Sequence, residues 1–284
     1  MNSPLFGKFV LKLKEQGIAP ACAKAVSWLI FKLKTSIGWE DQIQQRRLLI
    51  SRQLDERFGS QVKYGPFRGL KLSKATWWGK TDRAGMLLGL YEQEVLSALA
   101  NVPVRYRRSF IELGAADGYY AVGVLVNDLF ERSYCFEISE RGQKAITANA
   151  ALNGVSSRVQ IHGIAEMNFH TALPESATGD SVLLIDIEGA EFDILTAKTF
   201  ERFTNSVIII ELHDHFFADA PQRLERLRSI CANVFRIDEL TTTARDLSVF
   251  PELKQFSDTD RWLICSEGRR AMPHWYVLTP LAHQ

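Results

Sequence analysis

The chain has 284 residues, 46% of them apolar, enough to bury one full α/β core and leave residues for an appendage. Lysines and arginines number 34 against 33 aspartates and glutamates, so there is no overall field to hold a polyanion, and nucleic acid is not an expected partner. Cys22, Cys135, Cys231 and Cys265 form no Cys-x-x-Cys pair and read as small buried hydrophobes in a reducing compartment.

Residues 1–60 read as a helical N-terminal extension, with Leu, Phe, Val and Ile recurring at three- and four-residue spacing through Phe6–Leu13 and Val26–Leu33. Residues 1–40 hold six lysines and two glutamates, a net +4 within a chain whose total is +1. Such a basic amphipathic stretch packs on its own domain, on a second subunit of a homodimer, or on a membrane surface. The apolar run Ala25–Phe31 is bounded by Lys24 and Lys32, well short of the roughly 20 residues a membrane span needs. With no secretory signal pattern read at the start, the expected location is the cytoplasm, with peripheral contact at the inner face of the membrane through residues 1–40 as a further expectation.

From residue 61 to 284 the sequence predicts one domain. Its lead-in, 61–105, begins with a hairpin of Val62–Tyr64 and Leu70–Leu72 around a Gly- and Pro-containing turn. After Thr76–Lys80 a helix is predicted from Tyr91 to about Ala100. Trp77, Trp78 and Lys80 are candidates to line a pocket, although an aromatic pair more often packs a core or lid. In the core, 106–284, short apolar strands alternate with helices. The predicted strands are Ser109–Leu113, Tyr134–Ile138, Val159–His162, Val182–Ile187 and Val207–Leu212, with Val234–Ile237 and Trp262–Ser266 completing the set. Such alternation predicts a parallel sheet with helices on both faces.

In a doubly wound sheet, ligands bind beyond the carboxyl ends of the strands, where the strand order reverses. The first strand runs into Glu112-Leu113-Gly114-Ala115-Ala116-Asp117-Gly118-Tyr119-Tyr120, with a helix starting near Gly118. The glycine spacing is G-x-x-x-G rather than the G-x-G-x-x-G of a dinucleotide site, and the carboxylates of Glu112 and Asp117 would repel a pyrophosphate. They suit a ligand with an ammonium and a sulfonium but no phosphate, which describes S-adenosylmethionine. Glu137 lies 20 residues past Asp117, at the end of the next strand, the distance at which an acid takes the ribose hydroxyls of an adenosine. The expected cofactor set is Glu112, Gly114, Ala115, Asp117, Gly118, Tyr119, Glu137, Ile138, Ala165, Glu166 and Asp186, with Ala165 and Glu166 at an edge of the adenine pocket.

The fourth strand leads into Asp186-Ile187-Glu188-Gly189-Ala190-Glu191, and the fifth ends Glu211-Leu212-His213-Asp214-His215. Acids and histidines therefore gather on the rim where a methyl group would be presented. Glu188 and Glu191 fall in a first helical turn, where carboxylates also cap amides without doing chemistry, the reading favoured for Glu191.

Here the sequence resembles the FkbM-type S-adenosylmethionine-dependent methyltransferases, marked by Asp-x-Glu-Gly-x-Glu after one strand and Glu-x-His after the next. The matching residues are Asp186, Glu188, Gly189 and Glu191, then Glu211 and His213, and the similarity spans about Tyr91 to His215. It implies the class I methyltransferase fold, a Rossmann-like seven-stranded sheet, mostly parallel with the last strand antiparallel, and O-methylation of a hydroxyl on a sugar, glycan or secondary metabolite. Asp186, Glu188, His213 and His215 are then the candidate catalytic residues, with His213 the preferred general base and His215 the alternative. Asp186 and Glu211 look similar to the acids with which some related methyltransferases hold Mg2+, and Asp214 is the candidate third ligand. The competing expectation is a catalytically inactive cofactor-binding or scaffolding module whose N-terminal helices serve a partner or membrane.

Overall fold

The computed structural model describes residues 41–269 and 271–281. Two compact units divide the chain between Arg47 and Leu48, and the first lies almost wholly outside the described residues. The amphipathic pattern read over residues 1–40 also falls outside them. Helix α1 spans Asp41–Phe58, α2 Arg83–Leu88 and α3 Gln93–Asn101. The second unit, from Leu48 onward, contains the sheet.

Seven strands form it: β1 (Ser109–Leu113), β2 (Arg132–Phe136), β3 (Val159–His162), β4 (Ser181–Ile185), β5 (Val207–Glu211), β6 (Phe235–Thr241) and β7 (His274–Pro280). Their order is β3-β2-β1-β4-β5-β7-β6. The pairs among β1 to β5 are parallel, and β7 runs antiparallel to both β5 and β6. Every residue of β1, β4 and β5 is buried, which explains why these strands read as continuous apolar runs rather than alternating ones. Successive side chains still point to opposite faces. Phe110, Val182, Leu184 and Ile209 join one core with Val122 and Leu125 of α4 (Tyr119–Val126) and Ile146 of α5 (Glu140–Leu152). Ile111, Leu113, Leu183, Ile185, Ile208 and Ile210 join the other. There they meet Phe192 of α6 (Glu191–Ile194), Phe200 of α7 (Ala197–Arg202) and Leu227 of α8 (Ala220–Cys231).

One sequence expectation is corrected. Trp262–Ser266, read as the last strand, belongs to helix α9 (Asp258–Cys265). Ser257 caps it by accepting from the Asp260 amide at 3.2 Å, Asp258 and Asp260 occupy its first turn, and Asp260 and Ile264 are buried four residues apart, a helical spacing. The antiparallel strand is instead His274–Pro280, whose Trp, Tyr, Val and Thr suit a pleated surface. The lead-in hairpin is real but short: one bridge joins Gln61 and Lys71, flanked by amides of Val62 and Leu72 donating to Leu70 and Ser60 at 2.8 Å.

The lead-in is tied to the far end of the domain by a buried ion pair. Glu94, on α3, takes both terminal nitrogens of Arg245 at 2.5 and 2.9 Å, and the side chains are 6% and 5% exposed. The amide and hydroxyl of Thr243 add bonds at 2.6 and 2.7 Å. Burial pushes the Glu94 carboxyl upward, but the bonds from Arg245 and Thr243 outweigh it and bring it down to about 2.

Glu94→Ala leaves the guanidinium buried without its partner and is expected to cost about 3–5 kcal/mol in a urea titration at pH 7. The folded carboxyl sits below its ordinary 4.5, so the contribution is complete above that pH and fades as the pH falls toward 2. Wild type and variant should converge in stability there. A gap unchanged at low pH would mean that the ion pair is not the stabilising element.

Candidate active site

The strand order reverses at the neighbours β1 and β4, since the chain proceeds from β1 to β2 and β3 on one side and continues from β4 to β5 on the other. Their last residues, Leu113 and Ile185, are in register, and the Asp186 amide donates to the Leu113 carbonyl at 2.9 Å. This brings Gly114 and Asp186 together backbone to backbone. Gly114 has φ +89°, and a Cβ built there would lie 1.7 Å from the Asp186 carbonyl oxygen. The glycine is thus required by the neighbouring strand end as well as by the turn.

Beyond Gly114 the loop is held by Glu137, which follows β2. Its carboxylate accepts from the amides of Ala116 at 2.8 Å and Ser139 at 2.7 Å, joining the first strand's loop to the second strand's end. Ala116 takes φ +47°, a left-handed conformation uncommon outside glycine. Gly142, in the first turn of α5, packs against this junction: a Cβ there would lie 2.6 Å from Glu137 Cγ and 2.7 Å from the Ala116 carbonyl oxygen. Pattern reasoning did not single out Gly142, because its need comes from a contact across two elements.

Three cavities open along this edge. The smallest, about 50 Å3, is lined by Gly114, Ala115, Asp117, Tyr119 and Glu112 among others. Two carboxylate oxygens there, Glu112 Oε2 and Asp117 Oδ2, are buried and have no hydrogen-bond partner. Burial, reinforced by the charge of Asp186, pushes the Glu112 carboxyl well above the usual range. Burial likewise raises Asp117 to about 6 despite bonds from the Trp77 and Trp78 amides. Arg83 lines the same space, but its guanidinium is committed to Asp55, Thr76 and the carbonyls of Ser73 and Leu72.

The second cavity, about 430 Å3, is walled by Phe136, Ile138, Ile164, Ala165, Ile187 and Ile194, with Glu137 at its side. Ile138 and Ile164 are 72% and 58% exposed. Glu166 is exposed and does not line it. Gly118 supplies the left-handed residue that starts α4, at φ +78°.

The third cavity, about 580 Å3, holds the acidic rim: Asp186, Glu188, Glu211, His213 and His215, facing Trp77, Trp78, Phe216 and Arg269. It shares Trp77, Trp78, Asp186 and Glu188 with the second cavity. His213 is buried at its centre. Its Nε2 lies 3.6 Å from Asp186, 3.7 Å from Glu188 and 3.8 Å from Glu211, while Nδ1 meets Glu191 Oε1 at 3.2 Å. Burial lowers the His213 pKa, but the bond to Glu191 and the charges of Asp186, Glu191 and Glu188 raise it on balance. Burial also pushes Asp186 and Glu211 above the usual carboxylate range, with neighbouring acids adding to the shift.

Two expectations change here. Glu191 is not a simple helix cap: it is fully buried, with Oε2 accepting from the Gly189 amide at 2.8 Å and Oε1 from the His213 amide at 2.9 Å. Asp214, the expected third metal ligand, is bonded instead to His274 Nε2 at 2.7 Å. The acids and histidine that converge, with ligand atoms within 4.8 Å of one another, are Asp186, Glu211 and His213. The sequence reading missed Arg269, which bonds Glu211 and Glu92 and sits 2.9 Å from Glu267. Nothing in the spacing of Arg269 connects it with residues 58 and 177 positions away.

The strand order, with β7 antiparallel, is that of the Rossmann-like class I methyltransferase fold. Residues 178–237 match the family model of the methyltransferase FkbM domain, so the resemblance read from the acidic motifs is borne out over that segment. A search of curated proteins found no match. Among solved structures, the chain is similar to an O-methyltransferase from Bacillus cereus in complex with SAH, at 13% identity over 82% of this chain and 90% of that one, TM-score 0.43. It is also similar to the B. subtilis M1A22 tRNA methyltransferase TrmK, at 10% identity over 64% of each chain, TM-score 0.39.

Gly114→Ala should be among the most damaging single-methyl additions in the chain, costing about 3 kcal/mol or more through backbone overlap and left-handed strain. Thermal melts of the purified variant check this. A melting temperature within a degree or two of wild type would show that the strand ends have room to part.

Proposed function

We propose that the chain transfers the methyl group of S-adenosylmethionine to a hydroxyl of a sugar, glycan or secondary metabolite. The observation that carries the reading is the pair of partnerless buried carboxylate oxygens, Glu112 Oε2 and Asp117 Oδ2, in one small cavity. A buried carboxylate without a partner is costly, and a cationic ligand relieves the cost. The ammonium of the cofactor's amino-acid end has the required charge. The apolar cavity beside it suits an adenine ring, which would cover Ile138 and Ile164, and Glu137 retains lone pairs for the ribose hydroxyls after its two amide bonds. When bound, the cofactor supplies a methyl group on a positively charged sulfur.

The shared wall of Trp77, Trp78, Asp186 and Glu188 is where methyl group and acceptor would meet. The chain's task there is to hold the acceptor oxygen about 3 to 3.5 Å from the methyl carbon, opposite the sulfur. His213 suits the role of base. In the tautomer that donates from Nδ1 to Glu191, its Nε2 lone pair faces the cavity, and the surrounding acids stabilise the cation formed when it takes the hydroxyl proton. With cofactor and acceptor bound, Nε2 would take that proton as the methyl group passes to the acceptor oxygen. Glu188 and Asp186 flank the path, and His215 lies farther out, its ring 6.1 Å from that of His213.

A divalent ion on Asp186, Glu211 and Asp214 fits poorly. Asp214 is occupied by His274, and Glu211 by the Arg269 guanidinium. An ion of charge +2 about 5 Å from a fixed guanidinium meets a repulsion of about 7 kcal/mol at an effective dielectric constant of about 20. The alternative of an inactive binding module would leave His213 and the rim acids without a role, although they line an open cavity.

Isothermal titration with S-adenosylhomocysteine tests the cofactor half. Wild type should bind, and Glu112→Gln and Asp117→Asn should each bind at least about tenfold more weakly, the loss of one charge-assisted contact. Because Asp117 titrates near 6, wild-type affinity should fall as the pH drops through that value and flatten in Asp117→Asn. Equal affinity in all three proteins would remove the carboxylate pair from the binding site. His213→Ala should keep cofactor affinity but lose about 100-fold or more in labelled-methyl transfer to a hydroxylated acceptor. Undiminished transfer would exclude His213 as the base.

A further inference from the structure

We infer that Arg269 is the resident cation of the acceptor cavity, standing against Glu211 where a divalent ion would otherwise be recruited. The inference rests on the methyl-transfer reading only in calling this cavity the acceptor's. Arg269 lies in the segment between α9 and β7, far from β5 in sequence, yet its guanidinium lines the cavity that contains Asp186 and His213. One terminal nitrogen bonds Glu211, the other bonds Glu92, and Nε meets Glu267 at 2.9 Å.

The grip on this guanidinium is built rather than incidental. Glu92 and Glu211 are only 3% and 2% exposed, so neither acid has much water to solvate it. Glu92 takes φ +44°, accepts from the Tyr120 hydroxyl at 2.8 Å, and donates its own amide to Glu267 at 3.0 Å. Three separate parts of the chain, the start of α3, the end of β5 and the segment before β7, therefore converge on a single positive charge. A guanidinium has five N–H groups and these bonds use three, leaving two to donate to an acceptor oxygen.

Without that charge, Asp186, Glu211 and His213 are a set of oxygen and nitrogen donors whose ligand atoms lie within 4.8 Å of one another, suited to a transition-metal dication. With it, the same donors face a cation that cannot leave. The arrangement therefore predicts that metal binding is suppressed in the natural protein and uncovered when Arg269 is removed.

The test is a Mn2+ titration followed by electron paramagnetic resonance, on protein loaded with S-adenosylhomocysteine. Wild type and Arg269→Lys should bind Mn2+ weakly, and Arg269→Gln should bind it at least about tenfold more tightly. Because Arg269→Gln strands two buried acids, the double variant Arg269→Gln/Glu92→Gln, which neutralises one of them, is measured beside it. Tight Mn2+ binding by wild type overturns the inference whatever the variants do. Folded variants with no gain in Mn2+ affinity overturn it as well. Failure of wild type to take up S-adenosylhomocysteine would instead count against the cofactor reading, leaving the Mn2+ comparison interpretable in the unloaded protein.

Discussion

The close approach of β1 and β4 is the constraint on which the rest of the site depends. Their ends are in register, so the Gly114 turn and the Asp186 turn share one small volume with no room for a β-carbon. From that contact the loop after β1 turns one way, toward Glu137, and the acidic rim turns the other, toward His213. The same crossing point supplies the floor of all three cavities, because Asp186 lines each of them. A strand order without reversal at this place would leave a helix covering the gap.

Acids outnumber cations around these cavities. Asp82, Glu92, Glu112, Asp117, Glu137, Asp186, Glu188, Glu211 and Glu267 line or border them, against the basic groups Arg83, Arg269, His213 and His215. Arg83 is paired with Asp55, and its other nitrogens donate to the carbonyls of Ser73 and Leu72. Burial therefore forces several of these acids upward in pKa, and each would be relieved by a positive ligand. The sulfonium and ammonium of the proposed cofactor answer that demand on one side of Asp186, and Arg269 answers it on the other.

The division of labour between His213 and Glu191 illustrates how the motif after β4 is used. Gly189, at φ +102°, lets the chain turn so that Glu191 reaches back to the Gly189 amide and across to both the amide and the ring of His213. The Asp-x-Glu-Gly-x-Glu spacing thus builds a brace between the ends of β4 and β5. Its two other acids, Asp186 and Glu188, stay on the cavity side of the imidazole.

The sequence by itself determined the parallel core, since short apolar runs such as Phe110–Leu113 and Val207–Glu211 alternate with helical stretches, and glycines with flanking acids mark the turn at their ends. It also indicated Asp186, Glu188, His213 and the loop carboxylates, because each lies within a few residues of a strand end whose position the pattern fixes. It misassigned Trp262–Ser266, where a short apolar stretch satisfies strand and helix periodicity equally and only the Ser257 cap and packing of Ile264 decide. Tertiary structure alone decided that Glu191 supports His213, that Asp214 is taken by His274, and that Arg269 enters the cavity of the acidic rim. These are contacts between groups 22, 60 and 58 residues apart, and local spacing carries no information about partners that meet only when separate elements pack.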